Sequence, residues 1–111
     1  MQIETIDLYA GNAWYGDYFT VKVGGVAADW SLYDVQPQII REQADGTFAT
    51  VEVCAVQKSA DGVVWPSLTA AQVESVQDGD RFGVLLRRLS DTKDKPIGSG
   101  PITIHGGLAW Q

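Results

Sequence analysis

The chain has 111 residues, of which 45% are hydrophobic and 20% are charged. This length and composition predict one hydrophobic core, and they exclude both a second domain and a disordered chain. The 14 acidic and 8 basic side chains give a formal net charge of -6, which argues against nucleic acid and anionic membranes as partners.

Cysteine content and the first residues bear on the compartment. The single cysteine, Cys54, cannot form an intrachain disulfide, so packing must supply the stability, and a reducing compartment such as the cytoplasm suits the chain. Residues 1–20 lack the basic start and the continuous apolar run of a signal peptide. We therefore expect a soluble protein that starts at Met1 and is made in a cytoplasm.

Alternation of apolar and polar residues predicts strands along the whole chain. The alternation is clearest in three segments, where the apolar side chains share one face: residues 18–23, 50–55 and 81–89. Less regular candidates are residues 2–9, 35–42, 63–68 and 101–105. Glycine-containing pairs such as Gly24-Gly25 and Asp45-Gly46 separate these segments and mark turns. About seven short strands at this spacing predict an all-β sandwich or a small barrel.

Two local signals refine this pattern. Thr69 and Gln72 have the spacing of a capping box and Asp78-Gly79 offers a stop, so residues 69–76 predict one short helix. Pro37 lies inside a predicted strand and cannot donate a ladder hydrogen bond. We therefore expect residues 35–42 to form an edge strand or to be interrupted by a bulge at this proline.

Residues that could support catalysis are few. His105 is the only histidine and has no acid or nucleophile beside it in sequence, and Cys54 has no basic neighbour that would activate its thiol. Most aspartates lie next to glycine or in predicted loops, where their side chains cap turns. We expect neither an enzyme nor a bound cofactor or metal, although the sequence leaves open a glycosidase that uses two carboxylates.

The aromatic residues are the most informative group for function. Four tryptophans and four tyrosines occur, and several lie in predicted loops or near the chain ends. Trp14, Tyr15 and Trp110 are candidates for anchors of a protein interface, whereas Trp14, Trp30 and Trp65 are candidates for sugar-stacking platforms. The alternative is that most of these side chains simply fill a small core.

The order of several short motifs from residue 16 onward resembles the N-terminal domain of phage baseplate upper proteins and related virion β-domains. Gly16-Asp17-Tyr18-Phe19 is similar to the opening strand motif of that family. The other similar stretches are residues 26–32 with 38–41, residues 61–73, and residues 79–86. Leu32-Tyr33-Asp34 departs from the family's Leu-Thr-Gly turn. The resemblance implies a virion accessory protein, either a capsid decoration protein or a small tail or baseplate component, that forms a symmetric multimer.

These observations together predict an immunoglobulin-like β-sandwich of about seven strands with one short helix, over residues 15–111. Residues 1–14 have no counterpart in the matched motifs, and we expect them to form an arm that docks on a neighbouring subunit by strand addition. The expected partners are major capsid, tail or baseplate subunits and further copies of the chain, in the virion of a tailed bacteriophage. The predicted interface residues are Ile3, Ile6, Leu8, Trp14, Tyr15 and Trp110. The competing hypothesis is a glycan-binding β-sandwich module for attachment to the host surface.

Overall fold

Eleven strands and one short helix make up the part of the chain that the computed structural model describes, which is Ile3 and residues 5–105. The strands are β1 (Ile6–Tyr9), β2 (Trp14–Tyr15), β3 (Phe19–Thr20), β4 (Lys22–Val23), β5 (Val26–Ala27), β6 (Tyr33–Glu42), β7 (Phe48–Val53), β8 (Ala55–Lys58), β9 (Val63–Leu68), β10 (Arg81–Arg88) and β11 (Lys93–His105). The helix α1 (Ala70–Glu74) lies between β9 and β10. The all-β prediction with one short helix is confirmed.

The strands form a larger sheet, a smaller sheet and a separate hairpin. The larger sheet has the order β1-β11-β10-β6-β7, in which only the β1 and β11 pair is parallel. In the smaller sheet Ser67 pairs with Tyr15 and with Ala55, and Val64 pairs with Phe19 and Lys58. β2 and β3 therefore occupy one edge of β9, and β8 occupies the other. β4 and β5 form the hairpin.

The core lies between the two sheets. Leu8, Ile39 and Phe82 of the larger sheet are fully buried and share one cluster with Val64 and Leu68 of the smaller sheet. Burial of each such side chain contributes roughly 1.5–3 kcal/mol. The predicted alternation over residues 81–89 is confirmed, because Phe82, like Val84 and Leu86, faces this core.

Pro37 lies in a central strand, so its predicted place at an edge or at a bulge is wrong. β6 is paired with β10 on one side and β7 on the other, and the one register shift in these pairings leaves Val51 of β7 as the extra residue, opposite Ile39 and Ile40. The carbonyl oxygen of Pro37 accepts a hydrogen bond from the Cys54 N–H at 3.0 Å. In an antiparallel strand, the N and the C=O of one residue point to the same neighbouring strand. The nitrogen of Pro37, which carries no hydrogen, therefore points to the β7 side, at the position where β7 ends. The Cys54 carbonyl oxygen thus receives no hydrogen bond from residue 37, and the regular ladder of β7 ends at Val53.

Pro66 produces a second interruption in the smaller sheet. Its carbonyl oxygen accepts a hydrogen bond from the Gly16 N–H at 2.9 Å, but the proline has no N–H to return. Pairing with β9 stops at this point and resumes at Phe19, which divides the segment into β2 and β3. The strand predicted over residues 18–23 is thus two short strands, β3 and β4, on different sheets.

The helix begins as the sequence predicts. The Thr69 side chain accepts a hydrogen bond from the Gln72 N–H at 3.2 Å, and the Gln72 side chain accepts one from the Thr69 N–H at 2.9 Å. This is the predicted capping box. The Gln72 amide also donates to the Val53 carbonyl oxygen at 2.9 Å, which fixes the helix to the end of β7. No helix in the described residues is long and apolar enough to cross a membrane.

A buried ion pair joins β6 to the loop that precedes β10. Arg41 donates to both carboxylate oxygens of Asp80, at 2.8 and 2.9 Å, and the Gln77 N–H donates to the same carboxylate at 2.8 Å. Burial alone would raise the pKa of Asp80, but the hydrogen bonds from Arg41 and Gln77 hold it below the usual 3.8. The side chain of Asp80 is 1% exposed, so it depends on these partners for its stability as an anion.

We expect Asp80→Asn to lower the free energy of unfolding at pH 7 by about 2 kcal/mol, because it removes the charge from these hydrogen bonds. The pKa of Asp80 in the folded chain lies below its ordinary value, so the stabilisation is present above pH 3.8 and is lost as the pH falls through the folded pKa. Urea unfolding at pH 7 and at acidic pH measures both effects. Asp78→Asn, in the same loop but exposed, is the control; equal losses in the two variants would contradict this account.

Candidate functional site

The segment predicted to dock on a neighbour lies in the larger sheet of its own chain. β1 pairs with β11 from Ile6 to Tyr9, and the Ile3 N–H donates to the Ser99 carbonyl oxygen at 3.2 Å. Ile3 and Ile6 pack against the core, and Leu8 is fully buried within it, so Leu8 has no exposed surface to offer a partner. Docking of residues 1–14 on another subunit stays a prediction, and among the described strands β1 keeps one unpaired edge for such a contact.

Trp14 and Trp30 are also engaged within the chain. Trp14 points into the core, where its ring meets Phe82 edge-on with the centroids 5.8 Å apart. The Trp30 indole N–H donates to the Ser59 carbonyl oxygen at 2.6 Å, and the Lys58 ammonium lies 5.4 Å from the Trp30 ring centroid. These contacts hold both partly buried rings against residues of the same chain. Trp110, a further predicted interface residue, lies outside the described residues.

We expect Leu8→Ala to destabilise the chain by about 3 kcal/mol, because it opens a cavity in a fully packed site. Urea unfolding measures this loss, with Thr5→Ala, an exposed neighbour, as the control. Deletion of residues 1–14 removes both Leu8 and Trp14, so we expect it to unfold the chain. A truncated chain that keeps its full unfolding free energy would show that β1 contributes nothing to the core.

Three aromatic side chains are exposed together on the outer face of the smaller sheet. Tyr15 is 82% exposed, Tyr18 is 65% exposed and Trp65 is 40% exposed. The rings of Tyr18 and Trp65 are inclined at 56° with centroids 6.4 Å apart. We call these three residues the aromatic face. Exposed tyrosine and tryptophan side chains are residue types that often anchor protein interfaces and sugar rings.

The strand pairing explains how these side chains come together. Tyr15 is paired with Ser67 across the ladder, and Trp65 is paired with Gln57. Since side chains alternate along a strand, Ser67 and Trp65 point outward while Pro66 between them points into the core. The result is an open groove of about 420 Å³, which is lined by Tyr15, Gly16, Ala55, Val56, Gln57, Trp65, Pro66 and Ser67.

Sequence reasoning found part of this surface. It named Tyr15 as an interface anchor and Trp65 as a stacking platform, and the alternation over residues 18–23 placed Tyr18 on the face opposite Phe19. It did not bring the three together, because β2 and β8 are too short for a period-two signal. Pro66 is the sequence signal that could have indicated this arrangement. Because proline has no N–H, pairing with β9 is interrupted there, and β2 and β3 are separate strands next to the exposed Trp65 ring.

The titratable groups that the sequence singled out lie elsewhere and apart. Burial, with a contribution from Glu52, raises the pKa of the Cys54 thiol to about 12, which keeps the thiol protonated and unreactive. His105 stacks on Tyr9 with centroids 4.6 Å apart, and its Nε2 lies 3.0 Å from a carboxylate oxygen of Asp7. Among the described residues, no group of three or more His, Cys, Asp or Glu side chains could hold a metal ion.

Comparison with known proteins adds no family. No protein-family model matches the chain, and no curated protein matches it at a significant level.

Proposed function

We propose that this chain is a structural protein of a tailed bacteriophage virion, an immunoglobulin-like β-sandwich that docks on other virion proteins through its aromatic face. The observation that carries the proposal is the exposure of Tyr15, Tyr18 and Trp65 side by side on a rigid sheet. The resemblance of residues 16–86 to phage baseplate β-domains supplies the virion context.

The strand order supports the immunoglobulin-like class. In such domains strand E lies between B and D in one sheet, strand F lies between C and G in the other, and variable-type domains add C′ beside C. Here β9 takes the place of strand E, because it lies between β8 and the edge formed by β2 and β3. β10 takes the place of strand F between β6 and β11, and β7 lies beside β6 in the place of C′. The short helix falls between the strands that correspond to E and F.

The aromatic face has the composition of an interface centre. Tyrosine and tryptophan are enriched among residues that dominate binding energy, and charged residues are depleted there. No charged side chain lines the groove beside Tyr15 and Trp65. Burial of the Tyr15 and Trp65 rings against a neighbour would remove exposed apolar surface at a groove that has no charged lining.

Particles released from cells that carry the coding sequence should contain the chain in a constant ratio to the capsid protein across a density gradient. Tyr15→Ala with Trp65→Ala should remove the chain from these particles, because each interface anchor contributes about 2 kcal/mol or more to binding. Quantitative mass spectrometry of the gradient fractions measures the ratio. Phe48→Ala, which alters an exposed ring on the larger sheet, is the matched control; wild-type chain found only in the soluble fraction would refute the proposal.

A second function, glycan binding, is favoured by one specific observation. Gln57 and Ser67 lie beside the exposed rings, so the groove combines stacking surfaces with hydrogen-bonding groups. Sugar rings are commonly held by this combination of an aromatic platform and a few polar side chains.

Titration of the purified chain with host surface glycans separates the two functions. Glycan binding predicts saturable quenching of tryptophan fluorescence that is lost in Trp65→Ala and retained in Phe48→Ala. A virion docking role alone predicts no saturable change at any glycan concentration. Quenching that survives Trp65→Ala would exclude the aromatic face as the sugar site.

A further inference from the structure

A groove with lysine walls opens between the β4–β5 hairpin and the strands β10 and β11. Lys22 lies on one wall, Lys93 and Lys95 lie on the other, and Val23, Tyr33 and Leu86 contribute apolar surface between them. The groove has a volume of about 490 Å³. We call it the cationic groove.

The three lysines of the cationic groove have no carboxylate partner within the described part of the chain. Other cations are already paired there: Arg41 with Asp80, Lys58 with Asp34, Arg87 with Asp94 and Arg88 with Asp91. Asp94, which also lines the groove, is engaged by Arg87. Three of the 8 basic side chains of an acidic protein thus gather in one place with their charges uncompensated.

The opposite end of the larger sheet carries three exposed carboxylates against one cation, Arg81, that is in no ion pair with a described residue. β6 and β10 are antiparallel, so the end of β6 at Glu42 lies beside the loop that precedes Arg81. Glu42, Asp45 and Asp78 are exposed at this end and form no ion pair with any described residue. Tyr33, beside the cationic groove, and Glu42 are separated by the length of β6, about 30 Å at the usual rise. We call these three carboxylates the acidic end.

We propose that the cationic groove of one copy binds the acidic end of a second copy, head to tail. The partner follows from charge complementarity, because the one carboxylate that lines the groove, Asp94, is paired with Arg87, whereas the carboxylates of the acidic end are in no ion pair with a described residue. A contact between two different surfaces of identical chains repeats, and it closes into a ring or extends as a filament according to its rotation. This inference rests on the proposed role in a multimeric particle and identifies the contact between neighbouring copies.

The charge distribution also fixes how the contact should respond to salt. Attraction between the two patches is weakened as salt screens it, whereas repulsion between whole chains of charge -6 is relieved by salt. Association through the cationic groove must therefore weaken when the ionic strength rises. Association through apolar surface alone would strengthen or stay constant.

The test is sedimentation velocity on the full chain and on two charge-reversed variants. The groove variant carries Lys22→Glu, Lys93→Glu and Lys95→Glu, and the end variant carries Glu42→Lys, Asp45→Lys and Asp78→Lys. Each alone places like charges opposite each other and should lose at least about tenfold in the self-association constant. Mixed together, the two variants restore both contacts and should form complexes again. All six positions are exposed strand ends, turns or groove walls, and circular dichroism checks the folding of each variant.

The end variant provides the internal control, because three reversals bring its formal net charge from -6 to about zero and remove the general repulsion between chains. The proposal is overturned if this variant associates more strongly than the wild type, if the mixture fails to associate, or if wild-type association rises with salt. Failure here leaves the particle experiment untouched, since incorporation through the aromatic face is measured separately. Aromatic variants that lose incorporation into particles but still self-associate in a salt-sensitive way would show that docking on the particle and contact between copies use different surfaces.

Discussion

Burial of Phe82 between the two sheets is the interaction on which the rest of the structure depends. Its ring meets Trp14 from the smaller sheet edge-on and lies in one cluster with Leu8 and Ile39 from the larger sheet. Every strand that contributes to this cluster must turn its alternate side chains away from it. The outer faces of both sheets, including the aromatic face, are therefore a consequence of how the core is filled.

Two prolines determine how the chain passes between these layers. The absent N–H of Pro37 lies where β7 leaves the larger sheet, and Cys54 is buried at that crossing before β8 joins the smaller sheet. The absent N–H of Pro66 divides β2 from β3. Both prolines are buried in strand interiors, and in each case the missing donor coincides with a gap in the neighbouring strand. The break beside Pro66 leaves Tyr18 free to project next to Trp65.

Local sequence signals predict the secondary structure correctly where a segment is stabilised by its own residues. The capping box at Thr69 and the alternation over residues 81–89 involve interactions within the segment or with one face of a long strand, and both predictions are confirmed. The two-residue strands β2 and β3 could not be predicted, because their pairing depends on β9, about fifty residues away. The inward orientation of Trp14 is equally non-local, since it depends on Phe82 across the core. Leu8 was assigned to a docking arm because its burial requires β11, at the far end of the chain.

The proposed function depends on an exposed surface and not on catalytic side chains. Tyr15, Tyr18 and Trp65 form an exposed aromatic patch on a sheet whose opposite face is packed, which gives a platform for docking. The most direct test of this claim is hydroxyl-radical footprinting of the chain, free and within particles. The account predicts strong protection of Tyr15, Tyr18 and Trp65 in the particle with Phe48 modified equally in both states. Equal modification of the three aromatic residues in the free and particle-bound chain would contradict it.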